Sequence, residues 1–398
     1  MGNMPCPNCT SSASCHPFYE VCGVPTNSCL LVDDRGRALG FPTGDIMLAV
    51  CNECGFIFNA AWDPDRTIYS DQYEETQGFS PTFNRFNRTI AEELIREYGI
   101  RGKTVLEIGC GKGEFLSLIC KLGSNRGVGY DPSFVPARQD SEQNARFVRE
   151  FFTEETCEIA PDLLCCKMTL EHIGHPYRFL LAVRNVANRE NSVIFFQVPE
   201  VGRILQEGAF WDVYYEHCSY FSPSSLRHLF THTGFAVGRI WTGYDAQYLM
   251  IVASPLTRGG DIASRDEDGV AAIIRLCGNF AATAARSRSA WLSQLRQWAA
   301  TGQRTVLWGS GSKGVAFLTT LGVHDEIEHV VDINPYRVGK FLPGTGQRIV
   351  EPAFLGDYRP DNVVIMNPIY REEIGRELAR CCCESRVYTV LDLQSEAV

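Results

Sequence analysis

No stretch of the 398 residues stays apolar for long enough to cross a bilayer, and no export-type hydrophobic segment stands near the start, so neither membrane anchoring nor secretion is indicated. Cytoplasm is the expected compartment. Positive charge is scarce as well. Against 37 Lys and Arg stand 47 Asp and Glu, a net charge of −10, and the basic residues are not interleaved with aromatics in clusters. Long polyanions are bound chiefly through clustered cations, so no nucleic acid is expected as a partner, and no membrane either. Low-complexity sequence is also missing: 45% hydrophobic and 21% charged residues are the proportions of a folded chain. At this length two or three cores are expected rather than one. Nothing in the pattern reads out an oligomeric state.

Cysteine, by contrast, is abundant. Seventeen cysteines in a long chain without an export signal argue for reduced thiols, some of them metal ligands. Cys6-Pro7-Asn8-Cys9 and Cys51-Asn52-Glu53-Cys54 form two C-x-x-C knuckles. Each two-residue spacer lets both sulfurs of a pair reach one ion, so Cys6, Cys9, Cys51 and Cys54 can surround Zn²⁺, and four thiolates leave no open position for chemistry. The expected role is structural. The 41 residues between Cys9 and Cys51 imply an inserted hairpin, and Cys15, Cys22 and Cys29 inside it could compete as ligands. Cys165, Cys166 and Cys381 to Cys383 lack ligand spacing and read as small buried apolar residues. This segment, 1–68, is the first expected domain.

A helical pattern through Ile90, Leu94, Ile95 and Tyr98 stops at Gly99. Val105-Leu106-Glu107-Ile108-Gly109-Cys110-Gly111-Lys112-Gly113 then turns an apolar run into closely spaced glycines, and Gly127-Val128-Gly129-Tyr130-Asp131 ends a second run in an acid. Such glycines let the backbone turn sharply at a strand end and approach a ligand, with the acid placed for a ribose diol. Expected strands are Thr104-Ile108, Arg126-Tyr130, Leu163-Cys166, Ser192-Val198 and Tyr248-Ala253, alternating with helical patterns as in a doubly wound, mainly parallel sheet. The order E-x-G-x-G-x-G resembles motif I of class I S-adenosylmethionine (SAM) methyltransferases more than G-x-G-x-x-G. The second expected domain is 69–255.

A connector is expected around Ser254 to Asp268, then a long helix from Val270 to Trp298 that stops at Gly302. The strand-and-glycine grammar restarts with Thr305-Val306-Leu307-Trp308 into Gly309-Ser310-Gly311-Ser312-Lys313-Gly314, and His329-Val330-Val331 ends in Asp332. Three readings stand for this turn in the third domain, 256–398. It can hold a dinucleotide, face a phosphate or substrate at a helix N-terminus with Lys313 beside it, or simply pack a Rossmann-like turn.

Trp211-Asp212-Val213-Tyr214-Tyr215-Glu216-His217-Cys218-Ser219-Tyr220-Phe221 packs two acids, an imidazole and three tyrosines into a stretch too polar for a core strand. His217 has the intrinsic pKa to remove a proton near neutrality. Glu216 and Tyr214 stand next to it as candidates to position it or to stabilise developing charge, and Tyr73 is a further candidate on the substrate side. The pair Glu171-His172 follows an expected strand and reads as cavity wall.

Taken together, this order of motifs resembles one family: the three-domain, zinc-containing, SAM-dependent C-methyltransferases that act on nucleotide-linked deoxysugars. The match runs through Cys6, Cys9, Cys51 and Cys54; Glu107 to Gly113 with Asp131; Glu171-His172-Ile173; Tyr214, Glu216, His217, Tyr220, Phe221 and Ser222; Gly309 to Gly314; Asp332-Ile333-Asn334-Pro335; and Leu342-Pro343-Gly344-Thr345. The resemblance implies an α/β protein. Its centre would be a class I methyltransferase Rossmann-like doubly wound sheet, flanked by an N-terminal small zinc-binding domain and a C-terminal second Rossmann-like domain. It implies SAM contacts from Glu107, Gly109, Cys110, Gly111, Gly113, Asp131, Pro132 and Phe151, and structural Zn²⁺. His217, Glu216, Tyr214 and Tyr73 would serve catalysis, and Tyr220, Gly311 and Lys313 a small-molecule acceptor, possibly linked to a nucleoside diphosphate. O- or N-methylation of another small molecule, or a zinc-scaffolded nucleic-acid module, are the alternatives. Where sugar-modifying members carry W-N-x-x-x-E-I, this chain has Met366-Asn367-Pro368-Ile369-Tyr370-Arg371-Glu372-Glu373-Ile374, and Phe18 to Phe41 is an extended insertion.

Overall fold

A computed structural model describes residues 4–12, 15–138, 144–187, 192–256 and 266–393. The expected inserted hairpin is present. Strand β1 (Cys15–Pro25), a short helix α1 (Arg35–Leu39), β2 (Thr43–Cys51) and β3 (Ile57–Asn59) make an antiparallel sheet whose bulges fall where Pro17 and Gly23 interrupt the alternation of β1.

Helix α2 (Pro81–Tyr98) opens with Ser80 accepting from the N–H of Phe83, has Pro81 at its first position, and ends on Gly99 in the left-handed region at φ 65°. It buries Ile90, Leu94 and Ile95 on the face of the central sheet. That sheet contains β4 (Thr104–Ile108), then after α3 (Glu114–Gly123) β5 (Arg126–Tyr130), β6 (Ala145–Val148), β7 (Leu163–Lys167), and after α4 (Pro176–Val186) β8 (Val193–Pro199). The chain continues through α5 (Val201–Gln206), β9 (Ser219–Tyr220) and α6 (Pro223–His232) to β10 (Phe235–Gly243) and β11 (Tyr248–Pro255). Spatially the order is β10-β11-β8-β7-β4-β5-β6, parallel except where β11 runs against both neighbours. All five strands expected from sequence are here. The two edge strands, β6 and β10, had not been anticipated.

Strand β9 does not join the central sheet. It pairs with β3, Ile57 opposite Tyr220, and so completes the N-terminal sheet with two residues from the methyltransferase-like segment.

Part of the expected connector lies inside β11, and residues 257–265 of it lie outside the described residues. The 34-residue helix α7 (Glu267–Ala300) follows, with Val270, Ile273, Cys277, Phe280, Ala284, Trp291, Leu295 and Trp298 buried along one stripe. Then β12 (Thr305–Trp308), α8 (Ser312–Leu321), β13 (His329–Val331), β14 (Arg348–Val350), α9 (Leu355–Tyr358), β15 (Asn362–Ile365), α10 (Arg371–Arg380) and β16 (Arg386–Thr389) build a parallel sheet ordered β14-β13-β12-β15-β16. One apolar core runs through the N-terminal sheet, α5, α7 and this third sheet, and Phe210 stacks on Phe317 across the boundary with centroids 5.7 Å apart. The three lobes are thereby held in fixed register. Cys165 and Cys166 are buried as expected, but Cys381 and Cys383 are half-buried and Cys382 is exposed, because they follow α10 at a surface turn. No helix of the described residues is long and apolar enough to cross a membrane.

Candidate active site

A cavity of about 550 Å³ lies where the ends of β4, β5 and β7 face the ends of β12, β13 and β15. Ligands of open α/β sheets bind beyond the carboxyl ends of strands, and here two such edges share one space.

On the central-sheet side the glycine turn is a cradle. Gly109 and Gly111 have φ of 69° and 55°, and a Cβ on either would collide with Thr169 or with the Glu75 carboxylate. The Gly111 N–H donates to Asp131 at 2.8 Å, and Ser133 donates its N–H and hydroxyl to the other oxygen at 2.7 Å each. Oε2 of Glu107 is buried without a hydrogen-bond partner, and burial pushes its carboxyl up to about 8. Glu75 is likewise pushed up to about 8 by burial, while Lys112 forms an ion pair with it at 3.3 Å. The Lys112 side chain is buried and donates to the carbonyls of Tyr73 and Ser133 at 2.6 and 2.8 Å, which ties the segment ahead of α2 to the end of β5. An orphaned acid and a glycine cradle are what a cationic nucleoside such as SAM would fill. Gly109→Ala is expected to weaken SAM binding at least about tenfold by calorimetry, since the left-handed backbone alone disfavours a side chain by about 1–2 kcal/mol and the collision with Thr169 adds to it.

Glu107, Gly109, Cys110, Gly111, Asp131, Pro132 and Phe151 all line the cavity, Phe151 at its mouth with 65% of its surface exposed. Gly113 does not line it. Its φ of 85° serves the turn into α3 instead.

The same cavity is lined by Tyr214, His217, Tyr73, Gly311 and Lys313. His217 is buried against Tyr214, with ring centroids 4.3 Å apart, and edge-on to His172 at 4.8 Å. Burial first, then His172 and Lys313, holds its pKa well below the ordinary 6.5, so it stands neutral and able to accept a proton. Burial likewise lowers His172 to about 4. Lys313 lies 2.5 Å from Asp212, which also meets Arg203 at 2.6 Å.

Two expectations change here. Glu216 is adjacent to His217 in sequence, yet its carboxylate points away and accepts from Asn27 at 3.1 Å, from the N–H and hydroxyl of Ser28, and from the Tyr73 hydroxyl at 3.1 Å. Residues 214–217 form a turn closed by the His217 N–H donating to the Tyr214 carbonyl at 3.2 Å, and from it the acid anchors the loop to the N-terminal insertion. Tyr220 is also outside the cavity lining. It sits in β9, buried in the core, with its hydroxyl donating to the Tyr214 carbonyl at 3.4 Å.

The second glycine turn repeats the first in miniature. Ser310 donates its N–H and hydroxyl to Asp332 at 3.0 and 2.5 Å, and the Asn334 N–H meets the other oxygen at 2.9 Å. Arg337 donates to the Ser310 carbonyl at 2.8 Å and to the carbonyl of Glu74, binding this turn to the segment ahead of α2.

In the N-terminal segment, Sγ of Cys6 lies 3.7 Å from that of Cys54, and Cys9 3.8 Å from Cys51, all four within 4.8 Å of one another. Tetrahedral thiolates at 2.3 Å from an ion would stand about 3.8 Å apart. Asn8 Nδ2 and the Glu53 N–H donate to Cys54 and Cys51 at 3.6 and 3.4 Å.

Residues 83–239 match the family described as "Methyltransferase domain", and residues 263–387 match "C-methyltransferase C-terminal domain". Together the two matches support a C-methyltransferase family assignment. Its central sheet is the class I Rossmann-like fold, and it is a SAM-dependent methyltransferase. This C-methyltransferase is 25% identical over 360 residues to C-methyltransferase NovU of Streptomyces niveus, a match covering 86% of this chain and 84% of that protein. Among solved structures, magnesium protoporphyrin IX methyltransferase ChlM of Synechocystis PCC 6803 aligns with 44% of this chain and 84% of its own at 14% identity and a TM-score of 0.36. The 1,6-didemethyltoxoflavin-N1-methyltransferase of Burkholderia thailandensis aligns with 43% and 78% at 17% identity and a TM-score of 0.34.

Sequence reasoning missed Glu75, Thr169, Asn27 and Ser28, whereas Glu171 and His172, read as wall, do line the cavity. Lys112 stood inside the motif and its charge was the available signal. Asn27 and Ser28 had none.

Proposed function

We propose that this enzyme methylates a carbon next to a keto group of a small acceptor, with His217 as the base. The observation that carries the reading is a neutral, buried imidazole lining the same cavity as the SAM-type glycine cradle. Glu107, Gly109, Cys110, Gly111, Asp131, Pro132 and Phe151 would hold SAM. When bound, SAM supplies an electrophilic methyl group on a positively charged sulfur. The carbonyl acidifies the neighbouring C–H, His217 takes that proton, and the C–H electron pair becomes the enolate that attacks. Lys313, held by Asp212, offers its ammonium to the developing oxyanion, and Tyr214 a hydroxyl. A cavity lined from three lobes would fix the acceptor, and orientation of this kind lowers a barrier by up to about 7–11 kcal/mol.

The family resemblance supports a deoxysugar carried on a nucleoside diphosphate as the acceptor, with Gly311 and Lys313 at the start of α8 facing it. We read Cys6, Cys9, Cys51 and Cys54 as a structural zinc site, on their tetrahedral spacing, in a cytoplasmic enzyme. The test is deuterium exchange. In D₂O without SAM, a nucleoside-diphosphate-linked 4-keto-6-deoxysugar is expected to lose the proton next to its carbonyl by NMR, and His217→Gln to abolish that loss. Methylation of a hydroxyl or amine acceptor with no carbon exchange would replace this reading.

A further inference from the structure

Among the buried cavity-lining atoms that have no hydrogen-bond partner are three on neighbouring residues: both carboxylate oxygens of Glu171 and Nδ1 of His217. Each such orphan costs about 1–3 kcal/mol, so three together in one place call for a use. They are close. A Glu171 oxygen and ring nitrogens of His172 and His217 lie within 4.8 Å of one another.

The neighbours that could have served His217 are committed elsewhere. His172 Nδ1 meets the Tyr69 hydroxyl at 2.9 Å and the Glu216 carbonyl at 3.1 Å. Glu216 is held by Asn27, Ser28 and Tyr73. Glu171 is the carboxyl left open, and its backbone is fastened to the strand beyond the base. The Cys218 thiol donates to the Glu171 carbonyl at 3.6 Å, and the Ser219 hydroxyl to the Ile173 carbonyl at 2.7 Å. The two segments therefore run side by side, and the gap between carboxyl and imidazole is one that a single water spans.

We propose that Glu171 is the positioning residue of the base, accepting the Nδ1 proton of His217 and so leaving Nε2 unprotonated toward the acceptor. This rests on the reading of His217 as the base. The acceptor's C–H proton goes to Nε2, its electron pair to the enolate, and the Nδ1 proton stays where it is, facing Glu171. Burial pushes Glu171 up to about 8, so its ionisation near that pH strengthens the imidazole beside it.

Glu171→Gln keeps the shape and removes the ionisation. Its kcat is expected to fall at least about tenfold with KM for SAM unchanged. A rise of wild-type kcat through about pH 8 is expected to be absent from the variant. Glu171→Asp is expected to recover part of the loss, and it serves as the second variant should the first fail to fold. In a His217→Gln background, Glu171→Gln should lower the residual methyl transfer no further. Unchanged kcat and an unchanged pH profile in Glu171→Gln, while His217→Gln is inactive, would sink the proposal and leave the base standing. Full activity of His217→Gln would remove both. A second stoichiometric metal, beyond the cysteine site, whose removal abolishes exchange would also overturn it.

Discussion

His217→Ala is expected to lower methyl transfer by about 10²–10⁴-fold, the range that a positioned general base supplies, while SAM affinity measured by calorimetry stays unchanged. The separation of the two effects follows from the cavity. His217 stands on the wall formed by the segment before β9, whereas Asp131 and the glycines stand at the ends of β4 and β5. Removing an imidazole packed against Tyr214 and His172 leaves a void, so some stability is lost as well, and His217→Gln is the better-filled control. The acid side of the pH profile gives an independent reading. The base works only when unprotonated, and burial holds its pKa below the ordinary 6.5, so the decline in rate should set in below that value as pH falls. A decline beginning above pH 6.5, or an alanine variant with full activity, would show that another group takes the proton.

The interior strands of the central sheet were legible because each is a continuous apolar run, buried on both faces, and ends in a recognisable turn. The edges were not. Strand β10 is buried only at Phe235 and half-buried or exposed elsewhere, and β6 carries Arg146 in only four residues, so neither has the run that marks a core strand. Strand β9 is two residues long and is a strand only because β3 lies beside it. The site divides in the same way. Contacts made by the backbone of a motif, as at Gly109 and Gly111, could be read from spacing. The partner of a side chain could not: Glu216 meets Ser28, 188 positions away, rather than the histidine next to it. Local order indicated which residues share a loop, and tertiary packing decided which of them face each other.

Cys51→Ser is expected to release one zinc per chain by elemental analysis and to destabilise the protein by more than about 4 kcal/mol, the range reserved for loss of a metal or a comparable core element. The four thiols are buried in the same apolar cluster as Phe56, Phe221 and the inner face of the central sheet, so they belong to a shared core. Asn8 also donates to the Ser225 carbonyl at 3.2 Å, which links the first knuckle directly to α6. The effect should reach the chemistry by a short path. Cys51 and Cys54 fold the turn that leads into β3, β3 pairs with β9, and the Asn59 N–H donates to the Cys218 carbonyl at 3.0 Å, one residue from the base. Slow stripping of the metal by a strong chelator is therefore expected to lower kcat and thermal stability together. SAM affinity should fall less, because the glycine cradle hangs from β4 and β5, away from that path. If stripped protein kept its kcat, the N-terminal segment would be an appendage to the active site rather than its support.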